Sequence, residues 1–290
     1  IASNTKTYTA AAILRLIEDG RLRLEDSLSA HLTAAQDSLL RSDGYDTDAM
    51  TIAMVLSHTA GLGDHSDDPR FEERIFSQPQ YRWTASEKIR YLVEWRDPAG
   101  GPGERFSYSD TGYIILGTII ERVTGLSLGQ AVRQLLDFEG LGLEVTFWEY
   151  TEPAPDKAGP RAHQYYGDVD VTDFHASFDL YGGGGIVTDP RELALFMRAL
   201  LTGEVFDDEA TLGAMMTGGT PPYRLGLMVK DCGGHEAFGH QGFWNTFAYH
   251  VPSLDLTIGG SILNHNATNG FELMRRLTEV ISDTLDRLQH

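Results

Sequence analysis

Cysteine is nearly missing from this chain: Cys232 is the one cysteine in 290 residues. A single thiol cannot close an internal disulfide, so cysteine usage leaves the redox compartment open. A catalytic thiol needs a base and an orienting group beside it. Cys232 sits in Lys230-Asp231-Cys232-Gly233-Gly234 and reads instead as a small residue at a strand-end turn. Positive charge is scarce as well. Lysine and arginine total 23 against 42 aspartates and glutamates, a formal net charge of −19. Most of the positive residues are arginines, and Lys6 is one of few lysines. A surface of that sign repels phosphates and anionic lipid, which argues against a nucleic-acid partner. No run approaches the roughly 20 apolar residues of a membrane span. No signal peptide is visible, but the chain opens at Ile1, inside what reads as the entry to a helix. A targeting segment upstream therefore stays open.

What is present suits a folded enzyme-sized body. Hydrophobic residues make up 41% and aromatics 10% of the chain, enough for a real core and unlike a disordered composition. Apolar spacing predicts a helix over 7–19, with Gly20 as its stop. Short helices follow over 50–57 and from Thr84, where Thr84 and Glu87 form a capping box. Residues 64–80, with Pro69 and Pro79, read as mostly loop. Further helices are expected over 111–124, stopped by Gly125, and over 127–136. Residues 148–180 read as irregular. Asp189, Pro190 and Glu192 open a strong helix that ends near Gly203. Beyond residue 222 the period becomes alternating. Leu225, Leu227 and Val229 predict one strand, and 235–239, 244–251 and 255–263 predict three more. A last amphipathic helix carries Phe271, Met274, Leu277, Ile281, Leu285 and Leu288. The expected fold is α/β (α+β): an antiparallel sheet flanked by helices, plus a mostly helical lobe. The whole of 1–290 is expected to form a single catalytic domain, with a helical lobe at roughly 45–180 and a sheet lobe at roughly 1–30 and 181–290.

Three short motifs carry chemistry. In Ser3-Asn4-Thr5-Lys6, residues three apart share a helix face, so the serine hydroxyl reaches the lysine amine. A neutral amine accepts the hydroxyl proton, provided that burial lowers its pKa. Taken alone, this spacing also fits an ordinary helix start. In Tyr108-Ser109-Asp110, a tyrosine near a lysine can move protons; alone, the triplet reads first as a packed tyrosine at a helix entry with Asp110 as helix cap. In His240-Gln241-Gly242, glycine lets backbone approach a ligand; alone, His240 also fits a structural histidine. His235, His240, His250 and His265 lie near one another, without the pattern of a metal site. Gly182–Gly185 lacks the Lys-Ser/Thr of a phosphate loop. His58 reads as a loop residue with a structural hydrogen bond.

Together, in this order, the three motifs resemble those of the serine β-lactamase and penicillin-binding protein family. The segments IASNTKTYTAAAILRLIEDGRLRLEDSL, LSHTAGL, FSYSDTGYIILGTIIERVTG, GGGGIVTDPRELALFM and FGHQGFWNTFAYHVP are similar to the branch holding class C β-lactamases, D,D-carboxypeptidases, D-amino-acid peptidases and related esterases. The resemblance implies that Ser3 is the acyl-accepting nucleophile and that Lys6 sets the protonation of Ser3 and Tyr108. It implies Tyr108 as general base, and His240 beside the substrate carboxylate or carbonyl. Asp110, Gly242 and Phe243 fall at substrate-binding positions, and the N–H groups of Ser3 and Phe243 at the oxyanion hole. The implied partner is a small-molecule or short-peptide substrate. No cofactor and no metal is called for, and oligomeric state stays open. A periplasmic or secreted setting follows from the resemblance, while composition leaves a cytoplasmic one open.

Two departures bear on function. Asp110 stands where the family most often has Asn, and it adds negative charge beside the nucleophile. His240 stands where a lysine would give a fixed cation. Both argue for amides, esters or small D-peptides over β-lactams. Family members also place a helix and two strands before the nucleophile, so the N-terminal strands are expected to be absent, exposing a sheet edge or an apolar helix face. The rival readings are a β-lactamase and a non-catalytic binding protein on the same fold.

Overall fold

A computed structural model of the chain describes residues 1–267 and 269–289. A 3-10 turn over Ala2–Asn4 runs directly into α1 (Thr5–Glu18). Ala10, Ala11, Ala12, Ile13, Leu14 and Leu16 of α1 are all buried, as expected of a helix that is apolar on most sides. Short helices α2 (Leu28–His31), α3 (Ala34–Ser42) and α4 (Ile52–Leu56) follow, then α5 (Pro69–Ser77), α6 (Ala85–Trp95), α7 (Asp110–Thr124) and α8 (Leu128–Leu135). Two-residue strands β1 (Phe147–Trp148), β2 (Tyr165–Tyr166), β3 (Val169–Asp170) and β4 (Ile186–Val187) punctuate the irregular stretch. The chain then enters α9 (Pro190–Leu201) and α10 (Glu209–Thr217). The C-terminal part holds β5 (Met228–Asp231), β6 (Glu236–Gly242), β7 (Thr246–Val251), β8 (Leu256–Ser261) and α11 (Gly270–Gln289).

Strands β5 to β8 form one antiparallel sheet in sequence order. Strand parity decides what each face meets. Phe238 and Ala248 face the large core around α1, while Ala237, Phe247, Tyr249 and Val251 pack with Met274 of α11. His240 pairs across the ladder with Ala248 and lies two residues beyond Phe238, which turns it toward α1. Among the described residues β8 has no second partner strand, and Leu273, Leu277, Val280 and Leu285 of α11 are exposed. The side chain of Leu288 lies outside the described residues. Among the described residues no helix is long and apolar enough to cross a membrane.

Four local expectations need correction. Residues 64–80 are mostly helical, with a 3-10 turn at His65–Asp67 and then α5. Pro69 opens α5 at its first turn, where the missing N–H costs nothing, and the Asp68 side chain caps it. Helix α3 was not expected, although Thr33 and Gln36 form a capping box. Nor was α10, which Asp208 caps. Finally, Leu225 and Leu227 precede β5 in a turn and are buried in the main core. Their alternation reflects burial of a turn rather than strand pairing.

Candidate active site

Helix α1 positions both members of the first motif. Ser3 lies in the 3-10 turn and Lys6 in the first turn of α1. Lys6 Nζ lies 2.9 Å from Ser3 Oγ, donates to the Gly183 carbonyl at 2.8 Å and pairs with the Asp110 carboxylate. Lys6 itself is fully buried. Two further side chains of α1 tie down the loops around it: Thr9 Oγ1 donates to the Gly182 carbonyl at 2.8 Å and Thr7 Oγ1 to the Gly226 carbonyl at 2.9 Å. Only glycine fits both loop positions. Gly182 has φ +108° and a Cβ there would lie 2.4 Å from the Tyr113 carbonyl; Gly226 has φ +83° and its Cβ would lie 2.2 Å from Ala10 Cβ.

Asp110 is the first residue of α7, and Ser109 is its cap, accepting from the Gly112 N–H at 3.1 Å and donating to the Gly63 carbonyl at 2.7 Å. The cap role considered for Asp110 thus belongs to its neighbour. That frees the Asp110 carboxylate for Lys6, while its backbone N–H donates to Asp64 Oδ2 at 2.7 Å. Tyr108 projects from the loop before α7, with its ring centre 5.0 Å from Lys6 Nζ.

The electrostatics differ from the expected neutral lysine. Burial is the largest influence on Lys6 and works against its charge, but Asp110 and Tyr108 outweigh it, and the net shift of its pKa is upward. Lys6 is therefore a resting cation. Burial pushes the Tyr108 phenol up to about 12; the Lys6 cation opposes this and Asp110 adds to it. Burial would raise the Asp110 carboxyl, but its pairing with Lys6 carries it below the usual range. At neutral pH the resting group is thus an ammonium, a carboxylate and a neutral phenol.

His240 lies behind this group and does not line the cavity. It is fully buried, with Nδ1 bonded to the Gln241 carbonyl at 2.7 Å and Nε2 to the Tyr223 hydroxyl at 2.9 Å. Burial first, and Lys6 second, push its pKa down to about 3. A neutral ring with both nitrogens engaged cannot clamp a substrate carboxylate, so the placement expected for His240 is corrected. Gly242 and Phe243, just beyond it, do line the cavity. Sequence reasoning missed Tyr223, which no motif marks. His58 is buried, and its Nδ1 accepts the Ser109 N–H at 3.1 Å.

Ser3, Tyr108 and Asp110 open onto a cavity of about 590 Å³. One side is apolar, with Phe76, Phe174, Phe178 and Trp244. At the rim the rings of Tyr166, His265 and Phe243 stack, His265 lying 5.2 Å from Tyr166 and 3.8 Å from Phe243. Among the described residues no group of three or more His, Cys, Asp or Glu could hold a metal ion.

Comparison with known proteins places the geometry in context. A putative D-alanyl-D-alanine carboxypeptidase of Salmonella paratyphi A is 27% identical over 243 residues, covering 72% of this chain and 53% of that protein. The chain spans about half the length of the curated relatives it matches. Among solved structures, a D-stereospecific amidohydrolase from Streptomyces sp. superposes with a TM-score of 0.79 at 27% identity, over 91% of this chain and 82% of that one. D-amino acid amidase from Ochrobactrum anthropi SV3 gives 0.77 at 22% identity over 98% and 83%, a likeness of fold. The Beta-lactamase family model matches residues 1–276, a span that takes in the helix start, the loop before α7 and the sheet strand with which the three motifs were read, and so the chain belongs to the beta-lactamase family.

Proposed function

We propose that the chain is a serine hydrolase that cleaves amide or ester bonds through an acyl-enzyme on Ser3, in the manner of a D,D-peptidase or esterase. The observation that carries this reading is the 2.9 Å approach of the fully buried Lys6 Nζ to Ser3 Oγ at the open end of a cavity. An ammonium held there stabilises a developing alkoxide and a developing phenolate on Tyr108. Tyr108 is the proton carrier between Ser3 and the leaving group. The N–H groups of Ser3 and Phe243 form the oxyanion hole; removing one such donor typically costs about 3 kcal/mol of transition-state stabilisation. Amide chemistry is also what the names of the carboxypeptidase and amidohydrolase relatives point to.

A second reading is a non-catalytic binding protein. It is favoured by the Lys6–Asp110 pair, which leaves neither Lys6 nor Tyr108 a ready base at rest. Intact-mass spectrometry after incubation with a fluorophosphonate and, separately, a penicillin decides between them, with Ser3→Ala as control. An adduct on the parent alone supports the hydrolase. A folded parent that takes up neither reagent rejects it.

A further inference from the structure

Helix α4 ends in a way that usually calls for glycine. Ser57 is its C-terminal cap. The His58 N–H donates to the Val55 carbonyl at 3.2 Å and the Thr59 N–H to the Met54 carbonyl at 2.8 Å. These are the paired closing bonds of a Schellman turn, in which the residue after the cap is left-handed. That residue is His58, with φ +57°. A side chain is strained there where glycine is not. The ring carries a second cost, since its Nε2 is buried without a hydrogen-bond partner. Ending a helix requires neither.

The imidazole is used elsewhere. Residues 98–109 lie outside every helix and strand, and Tyr108 stands near the end of that segment. The residues on either side of Tyr108 are both tied to His58. The Ser107 N–H donates to the His58 carbonyl at 2.8 Å, and the Ser109 N–H to His58 Nδ1 at 3.1 Å. Between these two bonds the Tyr108 ring packs on the imidazole, with centres 4.2 Å apart and planes tilted by 35°. Tyr113 and Tyr223 also pack on it, at 5.0 and 4.6 Å. An N–H that donates to Nδ1 needs a lone pair there, so the ring is neutral with its hydrogen on Nε2. The surroundings favour that form: burial first, then Lys6 and His240, hold the His58 pKa well below its usual value, and Asp110 opposes them. His58 is 3% exposed and does not line the cavity, so it acts through a neighbour.

We propose that His58 is a positioning residue for Tyr108: its carbonyl and its Nδ1 hold the N–H groups on either side of the tyrosine, and its ring seats the phenol beside Lys6. The inference rests on the reading of Tyr108 as the proton carrier for Ser3. Proton transfer depends on placement, and a displacement of about 1 Å costs on the order of 10²-fold. Ser109 is also held by Gly63 and Gly112, and the Asp110 N–H by Asp64. Loss of the imidazole therefore loosens Tyr108 without releasing the segment.

The test follows the rate at which a fluorophosphonate labels Ser3, with urea midpoints as the check of folding. Glycine and asparagine both tolerate a left-handed backbone, and asparagine Oδ1 offers an acceptor one bond beyond Cγ, as Nδ1 does. His58→Gly is expected to keep a urea midpoint close to that of the parent. At saturating reagent it should label roughly 10- to 100-fold more slowly, with the half-saturating concentration little changed. His58→Asn should label several-fold faster than His58→Gly. In a Tyr108→Phe background, itself slow, His58→Gly should add little further loss, because the residue it acts through is gone. Parent-like labelling of His58→Gly, a folded His58→Asn that is no faster than His58→Gly, or a loss that adds undiminished to that of Tyr108→Phe overturns the proposal. If glycine unfolds the chain, His58→Asn and His58→Ala, which differ in the acceptor, make the same comparison, and equal rates overturn it. Failure of the underlying reading is separate: it appears as a parent that takes no label, or as Tyr108→Phe labelling at the parent rate.

Discussion

The ammonium of Lys6 sits between the hydroxyl of Ser3 and the carboxylate of Asp110. One buried cation therefore serves both the nucleophile and the anion that restrains it. Removing it should disable the first and strand the second. Lys6→Met is expected to slow fluorophosphonate labelling of Ser3 by about 10²- to 10⁴-fold, the range for loss of a proton-handling group. Ser3→Ala should abolish labelling. Labelling rates followed by intact mass check both, and an unslowed Lys6→Met would remove Lys6 from the mechanism.

Asp110→Asn should act in the opposite sense. Asp110 raises the pKa of both Lys6 and Tyr108, so its neutralisation lowers both and brings each nearer to a working base. Labelling at pH 7 should speed up, by at most about tenfold for each unit of pKa recovered. Slower labelling would mean that the carboxylate assists the chemistry rather than restraining it.

The Tyr223 hydroxyl and His240 Nε2 form a buried pair at 2.9 Å. Tyr223→Phe deletes the donor and leaves the imidazole nitrogen without a partner in a dry site. A stability loss of about 1–3 kcal/mol is expected, measured as a lower urea midpoint with an unchanged slope. A loss below a few tenths would show that water replaces the hydroxyl.

Burial lowers the Lys88 pKa from 10.5 to about 8. Between those values the unfolded chain keeps the proton that the folded chain has shed. The Lys88 contribution to stability therefore rises with pH across that window and falls away as pH drops through about 8. The stability difference between the parent and Lys88→Met should move in favour of the parent from pH 8 to pH 10, by up to roughly 3 kcal/mol over the full window. A difference that stays flat across that range would place the ammonium in a wetter site.

The sequence was most informative where function rests on local spacing. Ser3 and Lys6 meet because residues three apart share a helix face, and Asp189 and Pro190 mark α9 as capping rules predict. It was silent where distant segments meet. No spacing connects Asp110 with Lys6, and nothing near Tyr223 names His240 as its partner. The neutral-lysine condition failed for that reason: burial could be anticipated from a core helix, but the carboxylate that reverses its effect arrives from another helix. Pro69 misled because proline ends a helix in its interior and begins one at its first turn.

Three positions near the start of α1 reach outward to backbone carbonyls: Lys6 to Gly183, Thr7 to Gly226 and Thr9 to Gly182. The nucleophile and two loops beside it thus share one mechanical reference. A displacement of α1 would therefore act on Ser3 and on these loops together. The mouth of the cavity shares that reference on one side: Asn4 Nδ2 donates to Thr246 Oγ1 at 2.9 Å, and Thr246 Oγ1 to the Ile1 carbonyl at 2.8 Å, so the turn that carries Phe243 is anchored to the same helix start as the nucleophile.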